Sequence, residues 1–514
     1  MEYSPSLLPD NDFKDPSKWV FIQLDIAGYG KGRQFDRLGS VQLDSVEVLR
    51  TDNEEPSVNG TNWNFSKEMN KYYDLFRTNR TLLFDLPNIV NDVYVSPLDY
   101  TITLTAYIAN GNNCKFQPLS KSYPTILPLS KKTTDANAFF SLGDDLDGSE
   151  GVTKLTIPHN ARTALVEIYA SGTAQDEFWY TNIPNSVYNE IGGAQNAVAY
   201  PRGPLRELQV LIDGKLAGIA QPFPVIFTGG ISPFFWRPQV AYGAFDQPTY
   251  VIDITPFLGT LTDDQEHEFA LKVVSAEQNQ TVLAWFISGN VQVQLDSSNE
   301  RTTGSITQYI APAAGKYESN NVVKGNVSEN GTISASIRTP IDQPRTILIE
   351  GTIKLGSSPV PIPVSWKQSI TYSNVNDLSQ NISSTLQEAE GSFTSQHGGE
   401  VVLAHTFSYP FNLTSVGNDT TLEHGYHIST SYGPSIASTI KEPLNQKVDM
   451  TQNGLAVTII EGNPPTANGY GETMTSYSYE DSSGNTFTRD NSVSHQAITH
   501  DQVGGSLASQ AGPV

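Results

Sequence analysis

The chain has 514 residues, of which 38% are hydrophobic and 10% aromatic, enough to build the cores of about two to four domains. Acids outnumber bases 54 to 31, and the net charge of -23 repels polyphosphate, which excludes nucleic acid as a partner. The one cysteine, Cys114, excludes an intrachain disulfide, and no apolar run reaches the length of a membrane span.

Met1 to Asp10 has neither a basic n-region nor an apolar h-region, which reads as a chain without a signal peptide or as a mature or engineered start. Phe35-Asp36-Arg37-Leu38-Gly39-Ser40 sets a carboxylate beside an aromatic ring and an arginine. Residues 66–76 are predicted to be helical after a Ser66 cap, with Met69, Tyr72, Tyr73 and Phe76 on one face. A strand over 81–86 follows. Ile102, Leu104, Ala106 and Ile108 alternate with polar neighbours, the period of a half-buried strand. Cys114 sits in a polar loop without the flanks of a nucleophile. Residues 120–160, rich in Ser, Lys, Asp and Gly, suit a connector. Asp176-Glu177-Phe178-Trp179-Tyr180 again joins carboxylates to aromatic rings.

Further on, Asp213-Gly214, Gly289-Asn290 and Asn453-Gly454 are hairpin signals, because such residues tolerate positive φ. Thr255-Pro256 offers a cap and a first-turn proline to a helical turn at 254–261. That turn precedes a strand at 268–274, echoing the turn at 69–75 before its own strand. Two copies of one sandwich plan would produce the echo. Phe269, Leu271 and Val273 alternate in one strand, and Val291, Val293 and Leu295 in the next. From 298 onward Ser, Thr, Asn and Gly rise, with strand-like pieces at 346–355, 400–408 and 455–460. Residues 503–514 are expected to be a loose tail. The pattern predicts an all-β protein built from sandwiches.

Carboxylates move protons, aromatic faces hold sugars, and arginine orients carboxylates, so the segments at 35–40 and 176–180 suggest hydrolysis next to a carbohydrate. Rival chemistries have less behind them. No Gly-x-Ser-x-Gly elbow and no Walker or dinucleotide fingerprint occurs. His424 and His427 near Glu423 read as surface histidines, not a metal site.

Longer blocks carry a family resemblance. They include Phe35-Asp36-Arg37, Val46-Glu47-Val48-Leu49-Arg50-Thr51, Asn88-Ile89-Val90-Asn91-Asp92, Asp176-Glu177-Phe178-Trp179-Tyr180, Leu205-Arg206-Glu207, Phe227-Thr228-Gly229-Gly230-Ile231 and Trp236-Arg237-Pro238. The text resembles the acidic peptide N-glycanases of plants and fungi, the amidase A type, densely over 20–297 and more loosely to 502.

The resemblance implies hydrolysis of the bond between asparagine and the innermost N-acetylglucosamine of an N-glycan. Aspartate stays on the peptide and a glycosylamine leaves. It also implies acidic pH, tolerance of core α1,3-fucose, no metal or organic cofactor, and N-glycoproteins or glycopeptides as partners. A secreted or vacuolar location is expected; no membrane partner is, and the oligomeric state stays open. The implied fold is two tandem jelly rolls like those of the F-type glycanases, at 1–135 and 136–297, with a β-rich region at 298–514.

The resemblance also assigns roles. Asp36 matches the principal catalytic carboxylate, with Phe35 in place of a tryptophan. Glu177 is the second catalytic group, which positions or activates water. Arg237, with Arg37, supports the two and keeps a carboxylate ionised at low pH. Asp92 stands where a secondary carboxylate stands. Trp179 and Trp236 are either sugar-stacking rings or sandwich core. One rival reading is a non-catalytic N-glycan-binding protein of the same fold; another is a wall or adhesion protein whose third region carries the function.

Overall fold

A computed structural model describes residues 1–514 apart from 9–13, 109–117, 120–124, 144–145, 193–198, 278–279, 316, 326–335, 380–381, 419–424, 442–445, 462–465 and 511–514. Cys114, Glu423 and His424 therefore lie outside the described residues. The described chain is overwhelmingly β. Among the described residues no helix is long and apolar enough to cross a membrane.

The first sandwich uses β1 (Glu2–Tyr3), β2 (Trp19–Gly30), β3 (Leu38–Leu43), β4 (Val46–Asp52), β5 (Thr61–Glu68), β6 (Arg80–Asp85) and β7 (Leu98–Ile108). Its sheets run β1-β6-β3-β4 and β5-β2-β7. Alternation does the work: Ile22, Leu24 and Ile26 of β2 point inward onto Val41, Leu43 and Val48.

The second sandwich uses β8 (Thr125–Leu129), β9 (Phe140–Leu142), β10 (Glu150–Leu155), β11 (Ala161–Gly172), β12 (Glu207–Ile212), β13 (Lys215–Ala220), β14 (Tyr250–Asp253), β15 (His267–Val274) and β16 (Trp285–Leu295). Its sheets run β10-β15-β12-β13 and β14-β11-β16-β8, with β9 also on β16. Adding nine to each strand number of the first sandwich reproduces these orders. The short echo in the sequence is thus a whole repeated topology, and each copy has its helical turn before the sixth strand.

Several expectations change in detail. Ser66 lies inside β5, and the helical turn starts at Asn70. Thr255 does not cap its turn; its Oγ1 accepts from the Ala164 N–H instead. Residues 125–155 hold three strands of the second sandwich instead of a bare connector. Asp213-Gly214 does turn the β12–β13 hairpin, with φ of 48° and 76°. Gly289-Asn290 is instead mid-strand in β16, where a side chain at 289 would meet the Glu167 carbonyl at 2.5 Å. Asn453-Gly454 also lies within a strand, Gln446–Glu461. The tail is structured to a 3-10 turn at Ala508–Gln510.

Among the described residues the third region is one antiparallel sheet of thirteen strands, from Thr303–Ile310 to Ala497–Gly504. It packs directly on the second sandwich. Trp366, Tyr372 and Ile349 share a single core with Leu216, Ile219 and Trp285. The Arg345 guanidinium forks onto Glu207 at 2.7 and 3.0 Å, with both side chains buried.

The two sandwiches meet through a different kind of layer, buried but polar. Arg50, fully buried, donates twice to Glu47 at 2.8 Å and reaches the Phe286 carbonyl at 2.7 Å across the interface. Glu167 accepts from Tyr72 Oη at 3.0 Å and pairs with Lys71. Burial pushes its carboxyl up, but Lys71, Asn290 and Lys67 outweigh that and hold it at about 2. The Lys71–Glu167 pair and the Arg50 bond to Phe286 cross between the two sandwiches, so they are made only in one arrangement of the halves.

Candidate active site

Asp36 lies in the loop between β2 and β3 of the first sandwich. Its Oδ2 accepts from the Gly229 N–H of the second sandwich at 2.9 Å. Gly229 faces the acids closely: a methyl there would collide with Glu55 Oε2 and sit 2.9 Å from Asp36 Oδ1. The loop over 228–230 is laced to the end of β4. The Thr228 N–H donates to Asp52 Oδ2 at 2.8 Å, Thr228 Oγ1 donates to the Asn53 carbonyl at 2.6 Å, and the Glu55 N–H donates to Thr228 Oγ1 at 2.9 Å.

Glu177 projects from a turn just after β11. That turn is fixed by Asp176, which is wholly buried. Asp176 pairs with Arg206 and accepts from Asn182 Nδ2 at 2.9 Å, the Leu283 N–H at 2.7 Å and Trp285 Nε1 at 3.1 Å. The two neighbouring acids thus divide the labour: Asp176 anchors, and Glu177 is left half-buried beside Asp36.

Five carboxyls from two sandwiches lie close enough to feel one another's charge in one recess, and burial raises all five. Burial raises Glu177 to about 7, with the Asp36 charge adding to the effect. Burial and then Asp36 raise Glu55 to about 7, against a downward pull from Arg237. Glu54 is pushed up to about 8 by burial despite Arg237, with Glu55 and Asp36 contributing. Asp52 is raised well above the ordinary range by burial and then by Asp36. Asp36 is itself raised by burial, against the Gly229 N–H and Arg37, which favour its ionised form. Arginine was expected to keep these acids ionised at low pH; desolvation outweighs it. A cluster of like charges away from water loses protons one at a time, so one ionised group can stand beside protonated neighbours at a single pH.

The structure brings Asp36, Glu177 and Arg237 into one neighbourhood. Arg237 attends Glu54 and Glu55 more than the other two. Its Nη2 donates to the Glu55 carbonyl at 2.7 Å, and its Nε lies 3.6 Å from Glu54 Oε1. Arg37 sits over the Phe35 and Tyr94 rings, 5.9 Å from each centroid. Phe35 is 44% exposed and 5.0 Å from Tyr94, so an open aromatic face flanks the acids.

Other candidates are placed differently. Trp179, 3% exposed, packs on Trp285 and Tyr372 in the core, and Trp236 is wholly buried. Neither ring is open to a sugar. Trp236 instead donates its Nε1–H to the Gly230 carbonyl at 3.0 Å, holding the loop that faces Asp36. Asp92 is exposed on a bend, in a loop tied by Gln34 Nε2 to the Ile89 carbonyl at 2.7 Å. Sequence reasoning missed Asp52, Glu54 and Glu55. Their signal was there: three acids in Asp52-Asn53-Glu54-Glu55-Pro56, directly after a matching block.

Comparison with known proteins adds three findings. The family model described as peptide N-acetyl-β-D-glucosaminyl asparaginase amidase A matches residues 4–312, and the model of that family's C-terminal domain matches residues 341–411. A peptide-N4-(N-acetyl-β-glucosaminyl)asparagine amidase A of Prunus dulcis is 37% identical over 286 residues. The match covers 54% of this chain and 48% of the relative, so it spans about half the relative's length. A solved structure of PNGF-II superposes with a TM-score of 0.34 at 11% identity, covering 58% of this chain and 63% of that one; so low a similarity carries no weight for fold or function.

Proposed function

This chain belongs to the peptide N-acetyl-β-D-glucosaminyl asparaginase amidase A family, and on that premise we propose that it hydrolyses the amide joining asparagine to the innermost N-acetylglucosamine of N-glycopeptides and N-glycoproteins. The observation that carries the reading is that Asp36 and Glu177, from two sandwiches, lie within reach of one another's charge: Asp36 Oδ2 accepts from the Gly229 N–H, which favours its ionised form, and burial with the Asp36 charge raises Glu177 to about 7. Asp36 is the base. It takes a proton from water as the water oxygen attacks the asparagine side-chain carbonyl carbon. Glu177 is the acid and protonates the departing glycosyl nitrogen as the C–N bond breaks. Aspartate remains on the peptide, and the glycan leaves as a glycosylamine.

A second proton-bearing acid, Glu55, lies beside Asp36 and would donate to the developing oxyanion. Phe35 and Tyr94 offer a ring face to the sugar. The chemistry runs at mildly acidic pH, where Glu177 is protonated, which suits a secreted or vacuolar protein. Tolerance of core α1,3-fucose belongs to the same reading.

The test is mass spectrometry of a core-fucosylated glycopeptide after incubation at mildly acidic pH. Free glycan with asparagine converted to aspartate is expected. An untouched glycopeptide would leave a glycan-binding protein, and N-acetylglucosamine retained on asparagine would mean the wrong bond had been assigned.

A further inference from the structure

A cleft adjoins the acid recess and shares Glu54 and Arg237 with it. The first sandwich supplies Asn62 and Trp63, and the loop after Arg237 supplies Val240 and Phe245. The remaining wall comes from the C-terminal sheet: Gln496, in the turn between the strands Thr486–Ser494 and Ala497–Gly504.

That turn is unusual. His495 and Gln496 have φ of 51° and 63°, a conformation that hairpins normally assign to asparagine and glycine. The turn is held in place from behind. The His495 ring stacks on Tyr470 at 4.8 Å and 4°, and the His495 N–H donates to the Gly471 carbonyl at 2.9 Å. A long carboxamide in a backbone conformation that disfavours it, braced by a stacked neighbour, is backbone strain kept at the rim of a cleft. The cleft is also polar: Asn62 and Asn64 line it together with Gln496, and Glu54 and Arg237 meet beside it as an ion pair 3.6 Å apart. A sugar hydroxyl, at once donor and acceptor, suits the carboxamides.

We propose that this cleft is a subsite for the sugars beyond the two N-acetylglucosamines next to asparagine, and that Gln496 of the C-terminal sheet is its specificity-determining residue. The inference deepens the amidase reading and rests on it. The C-terminal sheet then acts as the third wall of the substrate site.

The test compares wild type with Gln496→Gly, a change that relieves the turn and leaves Tm unchanged or higher. Two substrates share one peptide: one bears a full biantennary N-glycan, the other di-N-acetylchitobiose. Losing a hydrogen bond to sugar should raise KM for the full glycan roughly 10-fold with kcat intact. The short substrate should keep its wild-type constants. Equal effects on both substrates, or no effect on either, would overturn the proposal. Calorimetry of the free glycan with the Asp36→Asn protein separates the two readings. Binding weakened by Gln496→Gly supports the subsite even if wild type hydrolyses neither substrate, a result that would sink the amidase reading alone.

Discussion

At the scale of single residues, Asp36 and Glu177 define each other. The Asp36 charge helps to raise Glu177, so Asp36→Asn removes both the base and part of that shift. Activity should fall by about 10²–10⁴, and a carboxyl-carbon NMR titration should find Glu177 below about 7. An unmoved Glu177 would mean that the two do not share a site. The pH profile follows from the sign of the shift. Glu177 carries its proton below about 7 and loses it as pH rises, so a general acid there gives an alkaline limb near that value. Glu177→Gln should lower kcat/KM, and together with Glu55→Gln should abolish the limb; a double-variant profile with the limb intact would assign it to another group. Asp36 was legible because its aromatic-Asp-Arg triplet is local text. Glu54 and Glu55 were not singled out, because an acid after a strand reads as solvated until something covers it. What covers them is a loop more than 170 residues away.

At the scale of elements, the loop over 228–230 is the hinge between sequence and site. It touches Asp36, Asp52 and Glu55, and Trp236 holds it from behind. Gly229→Ala should reduce kcat by at least about tenfold while Tm changes little, since one displaced contact near the reacting groups is costly for rate. Wild-type activity in that variant would show that the loop does not set the Asp36 geometry. Further along, Phe234 and Phe235 seat on glycines of the C-terminal sheet: side chains at 454 and 469 would press on those rings. This is why Asn453-Gly454 reads as a turn in the sequence and is a strand in the structure. The glycine there serves a close approach, and a two-residue pattern has no means of distinguishing the two uses.

At the scale of the whole molecule, the polar recess and the polar interlayer place opposite demands on pH. Glu54 has a folded value of about 8 against an ordinary 4.5, so its contribution is full below 4.5 and is lost as pH rises through about 8. Glu167, held at about 2, contributes above 4.5 and loses that contribution as pH falls through about 2. Thermal unfolding should therefore be hardest at mildly acidic pH, near 4.5 where the two windows meet, and Glu54→Gln should flatten the decline towards pH 8. A mutant with an equal or steeper decline would remove Glu54 from the account. The shared core of the second sandwich and the C-terminal sheet carries a second consequence. Deleting residues 298–514 strips the cover from Leu216 and Ile219 and takes Arg345 from Glu207. The remainder should be insoluble or lack a cooperative melt by circular dichroism. A soluble, fully active truncation would show that the third sheet is an appendage.

The sequence by itself determined the all-β class, because period-two alternation is written residue by residue. It also determined Asp36 and Glu177 as candidates and the doubling of the sandwich plan, since these are matters of local text. Only the tertiary structure decided which carboxyls gather in one recess, that Trp179 and Trp236 are core, and that Gln496 of the C-terminal sheet lines a cleft with Glu54 and Arg237. The physical reason is common to all three. Desolvation and like-charge coupling depend on which groups lie within a few ångströms, and here those groups come from segments separated by a hundred residues or more.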